Sequence, residues 1–280
     1  MARLPGFPLT RRQALKGLVG AAVGAATGAA AFGYAFERHR IGVTRASIDV
    51  SGLPGALVGL RIGVVTDTHR SPTVPQDDID RAVRLVLQER PDLIVLGGDY
   101  VTWGDRRYVG SSAEALAPLT APDGVFAILG NHDDDRDMPA ALAARGFTVL
   151  KDARTRVTIR GEPIEILGIR YWTRRAAEIA HLLQGATAPV FLLAHNPRRL
   201  IEAAALDIPL VLSGHTHGGQ VVLPGLGAVA ARDFPVISGP GRRENTAIFV
   251  SRGVGTVYLP VRLNCPPEVA IVTLRRLSDM

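Results

Sequence analysis

The amino-acid sequence predicts an α/β fold with one largely parallel β-sheet and a second, more antiparallel sheet. Short apolar runs of strand length alternate with helical patterns through residues 41–280, and this alternation is typical of a parallel sheet. Shorter, paired apolar runs in residues 155–169 and 220–274 predict the second sheet. The 280 residues are 47% hydrophobic and 21% charged, an ordinary globular composition that is sufficient for a sizeable core.

Individual elements follow from the spacing of the apolar residues. Strands are predicted at residues 60–66, 93–96, 125–129, 155–160, 164–169, 190–194, 210–212, 220–223, 247–251 and 269–274. Apolar residues at helical spacing, as in Ile79, Ala82, Val83 and Val86, predict helices with one buried face. The predicted helices cover residues 79–89, 112–119, 138–145, 174–183 and 197–204. No low-complexity linker follows residue 45, so residues 41–280 are predicted to form one domain.

Residues 1–40 are predicted to be an export signal or a membrane anchor. Arg11 and Arg12 precede an uncharged run from residue 17 to residue 36 that is rich in Gly and Ala. Such a pattern resembles a twin-arginine signal, which implies transport by the twin-arginine export machinery. An ordinary membrane anchor is the alternative, because about 20 apolar residues suffice to span a bilayer. Both interpretations place the domain in the periplasm or cell envelope of a bacterium, exported across or anchored to the cytoplasmic membrane, and cleavage stays open.

Charge and cysteine content exclude several function classes. The net charge is +6, and residues 1–40 contribute +5 of it, from six Lys or Arg residues and one Glu. The rest of the chain is close to neutral, so no nucleic-acid partner is expected. Cys265 is the single cysteine, which excludes an intramolecular disulfide and a thiolate metal cluster. It is predicted to be a small packing residue.

Polar residues follow five predicted strands at their C-terminal ends. They are Asp67 and His69, then Asp99, then Asn131, His132 and Asp133, then His195, and finally His215 and His217. Taken singly, each could be a helix N-cap, a turn residue or a buried histidine. In a parallel sheet, however, these ends share one edge, so the side chains should converge. Carboxylates mixed with imidazoles suit Mn, Fe or Zn, and so many ligands suit two ions with a bridging carboxylate.

These motifs, in this order, resemble those of the calcineurin-like metallophosphoesterases from about residue 60 to residue 220. The extension Gly218-Gly219-Gln220 and the tail at residues 260–268 resemble a narrower bacterial branch of exported or membrane-associated phosphodiesterases. The resemblance implies a four-layer α/β/β/α sandwich of two mixed sheets flanked by helices.

The resemblance also implies a role for each motif residue. One divalent ion would be held by Asp67, His69 and His217, the second by Asn131, His195 and His215, and Asp99 would bridge both. His132 would contact the phosphate or protonate the leaving oxygen. The implied reaction is hydrolysis of a phosphate ester by a water molecule activated between two ions, Mn, Fe or Zn. A phosphodiester or a lipid-linked pyrophosphate of the cell envelope is the expected substrate, and a phosphomonoesterase or a non-catalytic metal-binding scaffold is the alternative.

One position departs from the family pattern. Many members have an Asp three residues after the bridging Asp99, where it orients the acid histidine, and Thr102 stands there in this sequence. Asp105, Asp133 or Asp134 could take its place.

Three further residues are expected to bind substrate. Arg70 directly follows the first motif and could reach the phosphate or stay in solvent. Trp103 could form an apolar or stacking wall, and Arg170, followed by Tyr171 and Trp172, could line the cleft. In the last motif, Gly218 and Gly219 are expected to keep space free at the bridge between the ions.

Overall fold

The computed structural model of the protein describes residues 10–277 and contains two six-stranded sheets. Residues 1–9 of the predicted signal and residues 278–280 lie outside the described part. The strands are β1 (Gly42–Val50), β2 (Arg61–Val65), β3 (Leu93–Leu96), β4 (Val125–Ala127), β5 (Thr148–Val149), β6 (Ala153–Ile159), β7 (Glu162–Gly168), β8 (Val190–Leu193), β9 (Leu210–Ser213), β10 (Val222–Leu223), β11 (Gly227–Ala228), β12 (Gly239–Arg243), β13 (Thr246–Val250) and β14 (Glu268–Arg276). The helices are α1 (Arg11–Ala35), α2 (Gln76–Gln88), α3 (Val109–Leu116), α4 (Asp137–Ala143), α5 (Ala176–Leu183) and α6 (Leu200–Ala205).

Both large sheets are mixed. The first has the strand order β1-β14-β2-β3-β4-β5, and only the pairing of β14 with β2 is antiparallel. The second has the order β12-β13-β9-β8-β7-β6, with four central parallel strands and one antiparallel strand at each edge. Within the predicted strand at residues 220–223, β10 pairs with β11 in a separate two-stranded sheet, so this strand does not join the second sheet as expected. The expectation that residues 269–274 join the second sheet is also wrong. This run pairs with β2 and β1 in the first sheet, and local apolarity does not encode that long-range pairing.

Three apolar clusters define four layers. One cluster lies between the first sheet and α2, α3 and α4, with Ile79 and Leu116 fully buried. The second cluster fills the space between the two sheets and includes Phe191 and Phe249. The third packs α5 and α6 against the second sheet. Each fully buried large apolar side chain contributes about 1.5–3 kcal/mol. The predicted four-layer α/β/β/α sandwich is confirmed.

The five strand ends that carry polar motifs come from two sheets. β2, β3 and β4 belong to the first sheet, whereas β8 and β9 belong to the second. The expectation of one shared edge in a single parallel sheet is wrong in this respect. The motifs still converge, because the facing sheets bring the C-terminal ends of these strands to the same end of the sandwich, where Asp67 lies 3.4 Å from His217.

Helix α1 stands apart from the sandwich over most of its length. It begins at a capping box formed by Thr10 and Gln13, and Gly33 is its one buried residue. The helical segment Arg11–His39 is long and apolar enough to cross a membrane, with a mean hydropathy of 1.4 in its most apolar window and 6% of that window buried. A helix with so little protein contact is uncharacteristic of a soluble core helix.

Candidate dinuclear metal centre

Most of the candidate ligands occupy strained backbone positions just after a strand. The φ angles are +53° at Asp67, +46° at His69, +56° at Asp99, +73° at His215 and +51° at His217. Left-handed conformations at residues with a side chain are uncommon and cost about 1–3 kcal/mol each. They persist where the surrounding structure imposes them, and such strain is concentrated at functional sites.

The first cluster of ligand atoms comes from Asp67, His69 and His217, which are all buried. The Nε2 atoms of His69 and His217 lie 3.1 Å apart. The Nε2 atom of His217 lies 3.4 Å from Oδ1 of Asp67. One carboxylate oxygen and two imidazole nitrogens therefore converge on a common point, within 4.8 Å of one another.

The second cluster comes from Asp99, His195 and His215, and the Asp99 carboxylate connects it to the first. Oδ2 of Asp99 lies 3.1 Å from Nε2 of His195 in the second cluster and 3.5 Å from Nε2 of His69 in the first. The amide oxygen of Asn131 is buried and has no hydrogen-bond partner among residues 10–277. A buried polar atom without a partner is costly, and a bound cation would satisfy it.

Hydrogen bonds outside the clusters engage the Nδ1 atoms of two histidines and direct their Nε2 atoms towards the clusters. Nδ1 of His195 lies 2.7 Å from the carbonyl oxygen of Gly97, so this nitrogen donates and Nε2 faces the cluster. Nδ1 of His69 lies 3.2 Å from Oγ1 of Thr102, which can accept in the same way. Partners of this kind orient metal-binding histidines and fix their protonation. Thr102, which replaces the family's Asp, therefore contacts His69.

The electrostatics of the clusters also suit divalent cations. Burial lowers the pKa of His69 to about 4 and that of His215 to about 3, so both are neutral at pH 7. Burial disfavours the charged form of His195, but Asp99 outweighs it and raises the pKa of His195 to about 10. Burial raises the pKa of Asp67 to about 6. Burial opposes ionisation of Asp99 too, but the nearby histidines lower its pKa. His69 and His215 are thus neutral nitrogen donors beside ionisable oxygen donors, and His195 becomes one when it loses its proton, so these residues fit two divalent ions.

Glycines allow the loops to approach the two carboxylates. A Cβ atom at Gly130 would collide with the carboxylate of Asp99, and a Cβ at Gly214 would collide with that of Asp67. A Cβ at Gly253 would come within 3.1 Å of Oδ2 of Asp67. These three positions, rather than the two glycines of the last motif, form the cradle around the carboxylates.

Gly218 and Gly219 have a different role from the expected one. A Cβ at Gly218 would come within 2.6 Å of Sγ of Cys265, and one at Gly219 would collide with Ala228. The expectation that they keep the bridge between the ions free is wrong, because they face the neighbouring loops. Cys265 is buried, and its thiol donates to the carbonyl oxygen of His217 at 3.3 Å.

His132 is buried next to the clusters, and a backbone group orients it. The backbone N–H of His132 donates to Oδ1 of Asp99 at 2.8 Å. The N–H of Trp103 donates to Nδ1 of His132 at 3.2 Å, so the proton of the neutral ring resides on Nε2. Burial lowers the pKa of His132.

Asp105, Asp133 and Asp134 are the aspartates expected to orient His132. None of them contacts the His132 ring among the described hydrogen bonds. Asp105 pairs with Arg107, and Asp134 accepts from the N–H of Asp137. Asp133 instead accepts from the backbone N–H groups of Asp99, Tyr100 and Gly130 at 2.7–2.8 Å. It joins the loop after β3 to the loop after β4.

Of the three expected substrate-binding residues, the structure brings Trp103 to the clusters. Its ring is 65% exposed and lies 4.6 Å from the ring of His132. Arg70 donates to the carbonyl oxygens of Ser71 and Val74, and its guanidinium stacks on Tyr108. These contacts engage Arg70 with its own loop and with Tyr108, which follows β3.

Arg170 is exposed, and its Nε lies 3.5 Å from Oδ2 of Asp152. The next residue, Tyr171, is closer to the clusters, with its ring 5.3 Å from that of His215. On the same side, Phe234 lies 5.4 Å from the His215 ring. No sequence motif indicates Phe234, because it lies in an irregular segment.

Arg262 is another residue that the motifs did not indicate. It is fully buried and donates to the carbonyl oxygens of Arg252 and Gly255. Its Nη2 atom lies 3.4 Å from Nδ1 of His217. The one sequence signal was its place in the tail at residues 260–268.

The sequence and the fold have clear relatives. Residues 60–219 match the family model described as calcineurin-like phosphoesterase. The chain is 32% identical to the uncharacterized metallophosphoesterase YkuE of Bacillus subtilis, over 95% of this chain and 98% of that protein. It is 32% identical to phosphodiesterase YaeI of Escherichia coli, over 76% of this chain and 82% of that protein.

Two further comparisons are more distant. A transmembrane protein with a metallophosphoesterase domain from Danio rerio is 31% identical over 84% of this chain and 57% of that protein. The NAD nucleotidase of Haemophilus influenzae has a similar fold, with a TM-score of 0.51 and 16% identity over 70% of this chain and 45% of that chain. Together with the clustered ligands, the family match and the two bacterial relatives identify the chain as a phosphoric ester hydrolase that belongs to the calcineurin-like metallophosphoesterase family.

Proposed function

We propose that the protein hydrolyses a phosphodiester, or a lipid-linked pyrophosphate, of the cell envelope with two divalent ions. The observation that carries this proposal is the Asp99 carboxylate, whose Oδ2 atom is within 3.5 Å of imidazole nitrogens from both clusters. A shared carboxylate is what a pair of ions about 3.5–4 Å apart requires. The relative YaeI, which is named a phosphodiesterase, favours a diester over a monoester.

The ligand roles follow the two clusters. Asp67, His69 and His217 would hold one ion, Asn131, His195 and His215 would hold the other, and Asp99 would contact both. When bound, such ions lower the pKa of a water molecule and neutralise phosphate oxygens. Mn, Fe and Zn all suit this mixture of oxygen and nitrogen donors.

His132 donates a proton to the leaving oxygen in this proposal. Its Nδ1 atom is occupied by the N–H of Trp103, which leaves the proton on Nε2, the atom at the far side of the ring. The hydrogen bond from the backbone N–H of His132 to Oδ1 of Asp99 keeps this residue next to the clusters. Burial lowers the pKa of His132, so only a small fraction of the ring carries the extra proton near pH 7 unless the bound phosphate stabilises the charged form.

We propose that α1 anchors the domain to the cytoplasmic membrane after export by the twin-arginine machinery. Its apolar length, its exposure and the twin arginine at its start support this placement. The name of the Danio rerio relative as a transmembrane protein agrees with it.

A direct assay tests the proposed activity. The full chain, stripped of metal and reloaded with Mn²⁺, Zn²⁺ or Fe²⁺, is given bis(p-nitrophenyl) phosphate and p-nitrophenyl phosphate. We expect hydrolysis of the diester to exceed that of the monoester. A preference for the monoester would support the phosphomonoesterase alternative. Loss of hydrolysis of both esters at full metal occupancy would support the scaffold alternative and contradict the proposal.

A further inference from the structure

A cavity of about 510 Å³ adjoins the candidate metal centre. His215 and His217 belong to its lining, so a substrate whose phosphate lies at the clusters has a substituent beside the cavity. The rest of the lining is mainly apolar and includes Val221, Leu223, Ala231, Phe234, Val257 and Leu259. The volume is typical of sites that hold one small organic group.

Two polar side chains within this lining, Thr216 and Gln220, already have protein partners. The hydroxyl of Thr216 donates to the carbonyl oxygen of Ile237 at 2.6 Å. The amide nitrogen of Gln220 donates to the carbonyl oxygens of Val257 and Leu259, and its oxygen accepts the N–H of Val257. These two side chains therefore have no free donor with which to read a nucleobase or a sugar. An apolar ligand needs none, because its affinity comes from buried area.

The cavity opens beside exposed apolar residues. Tyr258 is 75% exposed, Leu259 is 64% exposed, and nearby Leu226 is 60% exposed. Exposed apolar residues that continue an apolar cavity are typical of a surface that meets a membrane or a ligand.

The wall that carries Tyr258 and Leu259 is joined to the C-terminal end of α1. The N–H of Arg262 donates to the carbonyl oxygen of Gly33 at 3.3 Å. The carboxylate of Glu37 accepts the N–H groups of Asn264 and Cys265 at 3.1 and 2.8 Å. A side chain at Gly33 would collide with the carbonyl oxygen of Arg262, so the helix and the wall are in close contact. The cavity mouth thus lies next to the end of the helix that is proposed to leave the bilayer.

We propose that this cavity binds one apolar chain of a membrane lipid phosphodiester while the phosphate lies at the metal centre. The inference rests on the proposed function and narrows its substrate class to a lipid. The chain enters past Tyr258 and Leu259 from the bilayer surface, and the apolar lining holds it during hydrolysis.

Chain-length dependence tests the proposal on the full chain in amphipol, which contains no competing phosphodiester. The substrates are n-alkyl p-nitrophenyl phosphates with alkyl groups of one to eight carbons, used below their micelle concentrations. We expect kcat/KM to rise two- to fourfold per added carbon, up to about fourfold for a fully buried methylene, until the cavity is full. A flat profile with clear hydrolysis of the methyl ester would overturn the cavity assignment and leave the proposed function standing. If none of the esters is hydrolysed, the proposed function itself is overturned.

A second measurement does not depend on turnover. The dissociation constants of methylphosphonate and octylphosphonate are measured by calorimetry with and without Mn²⁺. The octyl compound should bind at least tenfold more tightly in both states, because the cavity is formed by protein side chains. Equal affinities of the two phosphonates would overturn the inference even if the esters are not hydrolysed.

Two tryptophan substitutions give a matched comparison. Ala230 is exposed and lines the cavity, so Ala230→Trp fills it without altering the core. Ala177 is also exposed, but it lies on α5 beside a different depression with Asp152. We expect Ala230→Trp to lower the octyl-to-methyl ratio of kcat/KM at least tenfold and Ala177→Trp to leave this ratio unchanged. If Ala230→Trp folds poorly, Leu223→Asp serves the same purpose, and retention of the ratio in the folded variant would contradict the assignment.

Discussion

At the scale of single residues, His132 offers the sharpest test of the proposed chemistry. We expect His132→Gln to lower kcat by about 10²–10⁴-fold for a diester with an alkyl leaving group, because the leaving alkoxide loses its proton donor. The loss should be below about tenfold for p-nitrophenolate, a leaving group stable without a proton. Steady-state kinetics with both substrates measure the difference.

His181→Gln is the matched control. It makes the same substitution at an exposed position on α5, away from the clusters. Equal losses with both leaving groups would show that His132 acts in binding or folding rather than as the acid. That result would contradict its assignment as the proton donor.

The raised pKa of His195 leads us to expect that metal binding releases protons. In the metal-free protein Asp99 outweighs burial and raises the pKa of His195 to about 10, so its ring is charged at pH 7.5. Nε2 must lose this proton to bind a metal. About one proton should therefore be released per protein at pH 7.5, and metal affinity should rise as pH rises towards 10.

Calorimetric titration of Mn²⁺ in two buffers of different ionisation enthalpy counts these protons. His69 and His215, with pKa values of about 4 and 3, add none at this pH. Binding with no buffer dependence would mean that His195 is neutral or does not ligate.

The motif residues could be placed from the sequence, because each follows an apolar strand at a short, regular distance. What orients them could not be. Trp103 reaches His132 through its backbone N–H, and a backbone donor leaves no signature in residue type. Arg262 and Glu37 contact partners 45 and 227 residues away in sequence, so local patterns do not indicate their contacts. The sequence therefore predicts the ligand atoms of the site but not the groups that position them.

At the scale of elements, Asp133 holds two loops in register. It accepts backbone N–H groups from the loop after β3, at Asp99 and Tyr100, and from Gly130 after β4. Asp133→Asn replaces one acceptor atom with a donor that faces these N–H groups. We expect about 1–3 kcal/mol of lost stability from the unsatisfied groups. Metal affinity should weaken by about 10–100-fold, as for other residues that support ligands.

Thermal unfolding of the metal-free protein and calorimetric titration with Mn²⁺ measure the two effects. Asp135→Asn is the control in the same loop, where an exposed ion pair with Lys151 contributes little. Unchanged metal affinity in Asp133→Asn would show that the joined loops do not position the ligands.

Central strands, long helices and the edge strand β6 could be predicted from the sequence, whereas the edge strands β1 and β12 could not. The predicted run at residues 93–96 coincides with β3, because all four residues are buried. β1 and β12 were missed because they lie at sheet edges, with irregular burial, and β12 contains Pro and Gly. The helix predicted at residues 197–204 begins with a 3₁₀ turn over Pro197–Arg199 before α6.

At the scale of the whole molecule, α1 relates the proposed membrane location of the protein to the position of the catalytic domain. Glu37 and Gly33 bind the helix end to the segment that forms the cavity wall. A membrane anchor fixed in this way would hold the cavity mouth near the bilayer, whereas a cleaved signal would release it. The proposed membrane anchor and the proposed lipid specificity therefore depend on the same contacts.

The paired substitution Val19→Asp plus Val23→Asp tests the anchor without disturbing these contacts. Both side chains are exposed on α1, at 55% and 60%, away from its contact with the domain. An aspartate near the centre of a membrane-spanning helix costs about 2.5–3.5 kcal/mol, so the variant should move from the membrane fraction to the carbonate-soluble fraction.

Arg11→Lys plus Arg12→Lys should instead keep a fused export reporter in the cytoplasm, since the export machinery recognises the arginines rather than the charge. Export of that reporter would contradict the twin-arginine signal, and carbonate-soluble wild-type protein would contradict the anchor.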